Sequence, residues 1–221
     1  MTHIHPLMCG FGYAFLLEDA QGLFLIDSGS PGQENVVLKK MKQLRRTDLK
    51  LIWITHAHYD HYGSAAALRT LTGAQIGVHP ADASSLSLGQ SPLGATRHQG
   101  FIFSLVLPLL ERIWPLPATS PDFSLEDGET LERFGLNASV HHTPGHTPGH
   151  TCILLPDGTA FAGDLIGRSP WLGLQCLVAT DWSQLPDSLT RFQAIHPQRA
   201  YTGHSPRPIS GMTLQKISQQ N

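Results

Sequence analysis

The sequence carries little charge of either sign: 14% of its residues are charged, 15 basic against 17 acidic, for a net charge of -2. Without clustered positive charge there is no electrostatic footprint for a polyanion, so nucleic acid is not an expected partner. The one basic stretch, KKMKQLRR at 39–46, reads as the solvated face of a helix. Cysteine is equally scarce. Cys9, Cys152 and Cys176 cannot all pair within one chain, and their spacing matches no thiolate metal motif. Cys152 and Cys176 sit among apolar residues and read as buried thiols. Long hydrophobic runs are missing as well: FIFSLVLPLL at 101–110 is too short to span a bilayer and is interrupted by Pro108. The opening MTHIHPLMCG lacks a basic region followed by a long apolar run, so no targeting segment is expected. These absences together lead us to expect a cytoplasmic protein with no membrane partner. A length of 221 residues suits one domain over 1–221 with a substantial core.

What the chain does have is histidine, 13 of them, several in two dense clusters that lie behind strand signals. YAFLLED (13–19) and LFLID (23–27), joined by a turn, read as a hairpin, and a helix is expected over 33–46 from the spacing of Val37, Met41 and Leu44. LKLIWIT (49–55) is nearly all apolar, as suits a strand covered on both faces. Residues 61–71 read as a helix stopped by Gly73, followed by a strand QIGVH (75–79). SSLSLGQSPLGATRHQG (84–100) reads as a polar loop, and FIFSLVLPLLERIW (101–114) as a helix with a proline break. Further on, DGETLERFG is expected to hold a turn and a strand, ASVHHTP a strand, TCILLP and TAFAG a hairpin around Asp157-Gly158, 184–195 a helix, and RAYTGH (199–204) a last strand. Strands recur in both halves, each polar cluster following a strand end. Two sheets with helices outside explain this better than one doubly wound sheet.

The first cluster lies in ITHAHYDHYG (54–63). In extended chain, His56 and His58 point the same way and can reach one ion, while a turn just after lets Asp60 and His61 face a neighbouring one. The second, HHTPGHTPGH (141–150), is punctuated by two Pro-Gly pairs and reads as loop; spacing alone leaves open which of His141, His142, His146 and His150 binds. Asp164 follows an apolar strand and a glycine, where a carboxylate can bridge two cations, and His204 follows YTG at another strand end. Imidazole and carboxylate together suit zinc and also hold iron or manganese.

HAHYDH (56–61), PGHT around His146, GD (163–164) and GH (203–204), in that order, resemble the metallo-β-lactamase superfamily of hydrolases, from LFLIDSG to GHSP. The resemblance implies an α/β fold, a four-layer αββα sandwich with the metals in a groove along one edge of the two sheets. It implies that His56, His58 and His146 hold a first metal, that Asp60, His61 and His204 hold a second, and that Asp164 bridges them. Asp27 in LIDSG matches a non-liganding aspartate that supports the floor of the site. His150, near the ligand loop, is expected to support it by donating to a carboxylate. His141 and His142 read as ordinary strand or loop residues.

Two divalent ions, zinc before iron or manganese, lower the pKa of bound water, polarise a carbonyl and stabilise the developing oxyanion. The expected reaction is therefore hydrolysis of a carboxylic ester-type bond, in a lactone or a thioester, by metal-bound hydroxide, with Asp60 orienting it and passing on a proton. The resemblance is comparable to quorum-quenching lactonases and to glyoxalase II-like thioesterases, whereas true β-lactamases lack the Asp164 bridge. A mono-iron persulfide dioxygenase and a non-catalytic metal-binding protein are the alternatives. Residues 80–121 are a candidate flap, with Phe101, Phe103, Leu107, Leu110 and Trp114 suited to an acyl chain of a small-molecule substrate or to a homodimer contact. Tyr59 and Tyr201 are candidates for touching substrate, although packing is the simpler role for both phenols.

Overall fold

A computed structural model describes residues 2–167 and 172–218. The chain opens with three antiparallel strands, β1 (His3–Cys9), β2 (Gly12–Asp19) and β3 (Gly22–Ile26). It continues through α1 (Glu34–Gln43), β4 (Leu49–Ile54), the short α2 (Tyr59–Tyr62), α3 (Ala65–Thr72), β5 (Gln75–Val78) and α4 (Pro80–Leu88). After β6 (Ala95–Thr96) come α5 (Phe101–Ile113) and β7 (Phe123–Ser124). The second half supplies β8 (Ser139–His142), β9 (Thr151–Leu154), β10 (Thr159–Phe161), β11 (Ile166–Gly167), β12 (Gly173–Leu174) and β13 (Val178–Ala179). It closes with α6 (Leu185–Ala194), β14 (Arg199–Tyr201), β15 (Ile209–Ser210) and α7 (Gly211–Leu214).

Two main sheets result, ordered β1-β2-β3-β4-β5-β7 and β15-β14-β10-β9-β8. Period-two alternation of the strands sorts their side chains into separate cores. From the first sheet, Leu16, Leu25, Ile52, Ile54 and Ile76 pack with Val37, Met41, Ala65, Leu68 and Leu86 of the helices outside it. Their neighbours Phe15, Leu17, Phe24, Leu51 and Trp53 face inward and meet Val140, Ile153 and Phe161 of the second sheet. The outer face of that second sheet (Cys152, Ala160, Ala200) is covered by Leu185, Leu189 and Phe192 of α6. Helices, sheet, sheet, helix: the expected four-layer αββα arrangement is the one observed. β4 is apolar on both faces because both faces are covered.

Several readings of the sequence need correction: the helix expected over 61–71 is broken between Tyr62 and Ala65, and β15 follows the strand at 199–201 that is expected to be the last. Residues 84–88, read as loop, belong to α4. His79 accepts from the amide of Ala81, Pro80 takes the first turn, and left-handed Gly89 ends the helix. Helix α5 runs through Pro108 as one element, on a surface exposed enough for water to serve the carbonyl that proline leaves without a donor. DGETLERFG turns as expected, but its second half is a 3-10 helix (Glu132–Phe134). The His-rich start, to which the sequence reading assigns no element, forms β1, whose side chains are mostly half-buried at the sheet edge and show no clean alternation. Cys9 and Cys152 are buried free thiols, whereas Cys176 is only half-buried.

Candidate metal centre

All the ligand candidates follow the C-terminal ends of strands. His56 and His58 leave β4, with Asp60 and His61 in α2 directly behind; His146 lies in the loop after β8, Asp164 after β10, and His204 after β14. The two sheets are packed so that these ends share one edge. Three groups of ligand atoms form there, each with its members within 4.8 Å of one another: His56, His58 and His146; His56, His61 and Asp164; and Asp60, His61 and His204. All seven candidates are thus brought together.

Each imidazole commits one ring nitrogen to the surrounding protein. His56 Nδ1 meets Thr55 Oγ1 at 3.0 Å, and that hydroxyl donates to Asp27. His58 Nε2 donates to the Pro92 carbonyl (3.0 Å) and His146 Nδ1 to that of Val178 (3.0 Å). His61 Nδ1 is held by Asp27 Oδ2 at 2.8 Å, and His204 Nδ1 by the Phe11 carbonyl at 3.0 Å. Such bonds fix the orientation of each ring and turn the opposite nitrogen inward. His204 Nε2 meets Asp164 Oδ2 at 3.0 Å, whereas His61 Nε2 and Asp164 Oδ1, 3.5 Å apart, are buried without hydrogen-bond partners. The chain also keeps space for the group: a Cβ at Gly203 would collide with Asp164 Oδ1 and His61. Five imidazoles and two carboxylates that converge on one edge, with one nitrogen and one carboxylate oxygen among them buried and unpaired, fit divalent cations.

Burial and neighbouring imidazoles push His56 and His146 well below the usual histidine range, so both are neutral at pH 7. Around Asp164 the balance is reversed. Burial opposes its charge, but His204 and His61 hold its carboxyl well below the usual range, and Asp164 in turn raises His204 to about 9. Burial also opposes a charged His61, yet Asp164, Asp27 and Asp60 hold it well above the ordinary value.

Asp27 lies beneath the site as expected, buried and in the left-handed region (φ 59°), accepting from the Thr55 amide at 2.8 Å as well as from His61. His150 also contacts the site, but not as expected. It donates to no carboxylate; Nδ1 meets Thr143 Oγ1 at 2.9 Å, and Nε2 accepts from the backbone amide of Asp164 at 3.1 Å. Burial drives its pKa down to about 3, which keeps that nitrogen an acceptor. His141 and His142 sit in β8, as ordinary strand residues. Tyr59 is buried with its hydroxyl donating to the Trp114 carbonyl (3.1 Å), and Tyr201 packs against Phe15 and Phe161, the simpler role in both cases. On α5, Leu107 and Leu110 pack against the outer core of the first sheet, while Phe101, Phe103 and, just past the helix end, Trp114 stand about half exposed.

Sequence reasoning missed the segment that backs this site. From α4, Asp82 reaches both ligand loops; beyond it, Ser91 Oγ accepts from the Tyr59 amide (2.9 Å) and Pro92 holds His58. It also missed Phe11, two-thirds exposed at the rim, its amide held by Ser30 and its carbonyl by His204. The helix-start signal His79-Pro80 was available in the sequence; nothing in it marks Asp82 as buried.

Comparison with known proteins agrees with this geometry. The sequence profile of the Metallo-beta-lactamase superfamily matches residues 7–204. A hydroxyacylglutathione hydrolase of Pseudomonas aeruginosa is 32% identical over 197 residues, which cover 87% of this chain and 61% of that protein. One from Maricaulis maris is 28% identical over 194 residues, again 87% of this chain and 61% of the relative. The chain thus spans about three fifths of the length of these curated relatives. Among solved structures, a di-iron-bound form of TTHA1623 superposes with a TM-score of 0.69 at 26% identity, covering 97% of this chain and 98% of the other. The BLEG-1 B3 metallo-beta-lactamase superposes with a TM-score of 0.74 at 22% identity over 97% and 96% of the two chains, a likeness of fold alone. With the profile matched from the first strand to the last of the candidate ligands, the chain belongs to the metallo-beta-lactamase superfamily.

Proposed function

We propose that this chain is a metal-dependent hydrolase of a carboxylic ester-type bond, a thioester before a lactone, working with two divalent ions. The observation that carries the reading is the pair of ligand groups, His56–His58–His146 and Asp60–His61–His204, flanking Asp164. Likeness to hydroxyacylglutathione hydrolases favours the thioester. Zinc suits the donor set best, with iron or manganese also accommodated, and one relative is described in a di-iron form. Bound there, such ions supply an electrophile for the carbonyl oxygen and nucleophilic hydroxide at neutral pH. The side chains of this protein then have separable tasks. His56, His58, His61, His146 and His204 would hold the ions through their inward-facing ring nitrogens. Asp164 spans both groups. Asp60, partly open to solvent and with Oδ2 3.7 Å from His204 Nε2, takes the proton of the attacking water and returns it to the leaving thiol or alcohol.

The whole chain acts as one hydrolase unit, with 80–121 as its flap. The apolar surface of α5, where Phe101, Leu105 and Trp114 are exposed, serves as a wall for an acyl group of the small-molecule substrate. A cytoplasmic setting agrees with three free thiols, and no described helix is long and apolar enough to cross a membrane. A mono-iron persulfide dioxygenase would leave the Asp60–His61–His204 group without an occupant, so it ranks second.

The test is a substrate panel of glutathione thioesters, lactones of varied chain length, phosphoesters and a β-lactam, run with elemental analysis. Thioester turnover with close to two metal equivalents, lost on chelation, is expected. One iron per chain with oxygen consumption on a persulfide would overturn the reading. Replacing Phe101 and Phe103 by serine should raise KM for long acyl chains more than for short ones; a change in oligomeric state with no change in KM would assign α5 to a homodimer contact instead.

A further inference from the structure

Asp82 is a buried carboxylate, 1% exposed, that belongs to none of the three ligand groups. One oxygen accepts from the Ala57 amide (2.8 Å) and the Thr147 hydroxyl (2.7 Å), the other from the Gly149 amide (2.7 Å). Its charge is met by these three donors, and no ion pair involving it is seen among the described residues. Burying a carboxylate this way is costly, and the cost is offset only while every donor stays in place.

Ala57 is the residue between His56 and His58; Thr147 follows His146; Gly149 precedes His150. A single carboxylate on α4 therefore grips the backbone of one ligand loop and both the backbone and a side chain of the other. Gly149 is needed for this approach, since a Cβ there would lie 2.7 Å from Asp82 Cγ. The same segment continues into Pro92, which holds His58 Nε2. The other rings are oriented from elsewhere, His56 by Thr55, His146 by Val178, His61 by Asp27 and His204 by Phe11, so Asp82 acts on the spacing of the two loops and not on those rings.

We propose that Asp82 is a positioning residue for the His56–His58–His146 group: it sets the spacing of the two loops that carry these imidazoles, and so governs the affinity of the first cation while leaving the second group untouched. The inference rests on the reading of these histidines as metal ligands. Asp82→Asn keeps the shape but turns one acceptor into a donor facing N–H or O–H groups. Thr147→Val removes one donor with almost no change of volume.

Zinc affinities should be measured stepwise on metal-free protein by competition with a chromophoric chelator. In wild type, two binding steps are expected. In Asp82→Asn one step weakens 10- to 100-fold, the range typical of removing an outer partner of a metal ligand, and the other is unchanged. Thr147→Val produces the same selective effect to a smaller degree, so the result stands even if Asp82→Asn folds poorly. In a His204→Ala background, where only the first step survives, Asp82→Asn must weaken that step. Equal weakening of both steps, or a lower melting temperature with both affinities intact, would reduce Asp82 to a general structural role and overturn the proposal. Wild-type protein that binds no zinc would instead overturn the metal-site reading itself.

Discussion

Nε2 of His56 and Nε2 of His146 face each other at 3.2 Å, although the opposite nitrogen of each ring is bonded to Thr55 or Val178. With those bonds made, both facing atoms are lone pairs, and two lone pairs at that distance repel unless something positive lies between or beside them. A cation should therefore stabilise the fold. Zinc at a hundredfold excess over its dissociation constant is expected to add about 2.7 kcal/mol, read as a rise in melting temperature that a chelator reverses. His58→Ala, which removes a member of the first group only, should lower zinc stoichiometry by one equivalent. Unchanged stoichiometry in that variant would refute the assignment.

Asp27 makes a second prediction. Asparagine tolerates its left-handed backbone (φ 59°) equally well, so Asp27→Asn isolates the carboxylate. The amide cannot accept at both positions, and either His61 Nδ1 or the Thr55 amide loses its acceptor. Metal-free Asp27→Asn should lose about 2–3 kcal/mol in urea unfolding. A loss below ~0.5 kcal/mol would show that these bonds contribute little net stability.

His79, which is remote from the ligand groups in sequence and stacks on His142 at 3.9 Å, gives a pH signature. Burial, with His142 beside it and only Asp127 opposing, pushes its pKa from 6.5 down to about 4. The unfolded chain therefore binds more protons than the folded one between those values. Stability from this group is complete above pH 6.5 and is lost as pH falls towards 4. His79→Asn retains an acceptor for the Ala81 amide and should flatten that part of the profile. Parallel wild-type and variant curves from pH 7.5 to 4 would contradict the assignment.

The three thiols should separate by reactivity. Burial pushes Cys152 up to about 12 and Cys9 to about 11, whereas Cys176 is half-buried. In a disulfide-exchange titration of native protein at pH 8, one thiol per chain is expected to react quickly and two only on unfolding. Cys176→Ser should abolish the fast phase; a surviving fast phase would mean that a core thiol is accessible.

Much of this site was legible in the sequence because its signals are local. His56, His58, Asp60 and His61 fall within one turn of chain, and His146, Asp164 and His204 each follow a recognisable strand end. The four layers were legible through LKLIWIT, which is apolar on both faces. What escaped depends on contacts across long separations. Asp82 meets Thr147 and Gly149 over 65 and 67 residues, and no pattern near Asp82 foretells them. β1 escaped because an edge strand with half-buried side chains shows no clean alternation. His150 was placed near the site, but its role as an acceptor from a backbone amide follows only from the approach of the Asp164 strand end.

The ligand groups draw on the first sheet for His56 to His61 and on the second for His146, Asp164 and His204, so each mixed group straddles a seam between two halves of the molecule. An ion bound there would tie the two halves together, so the metal-free protein would open along that seam more often and be cut there sooner by a protease.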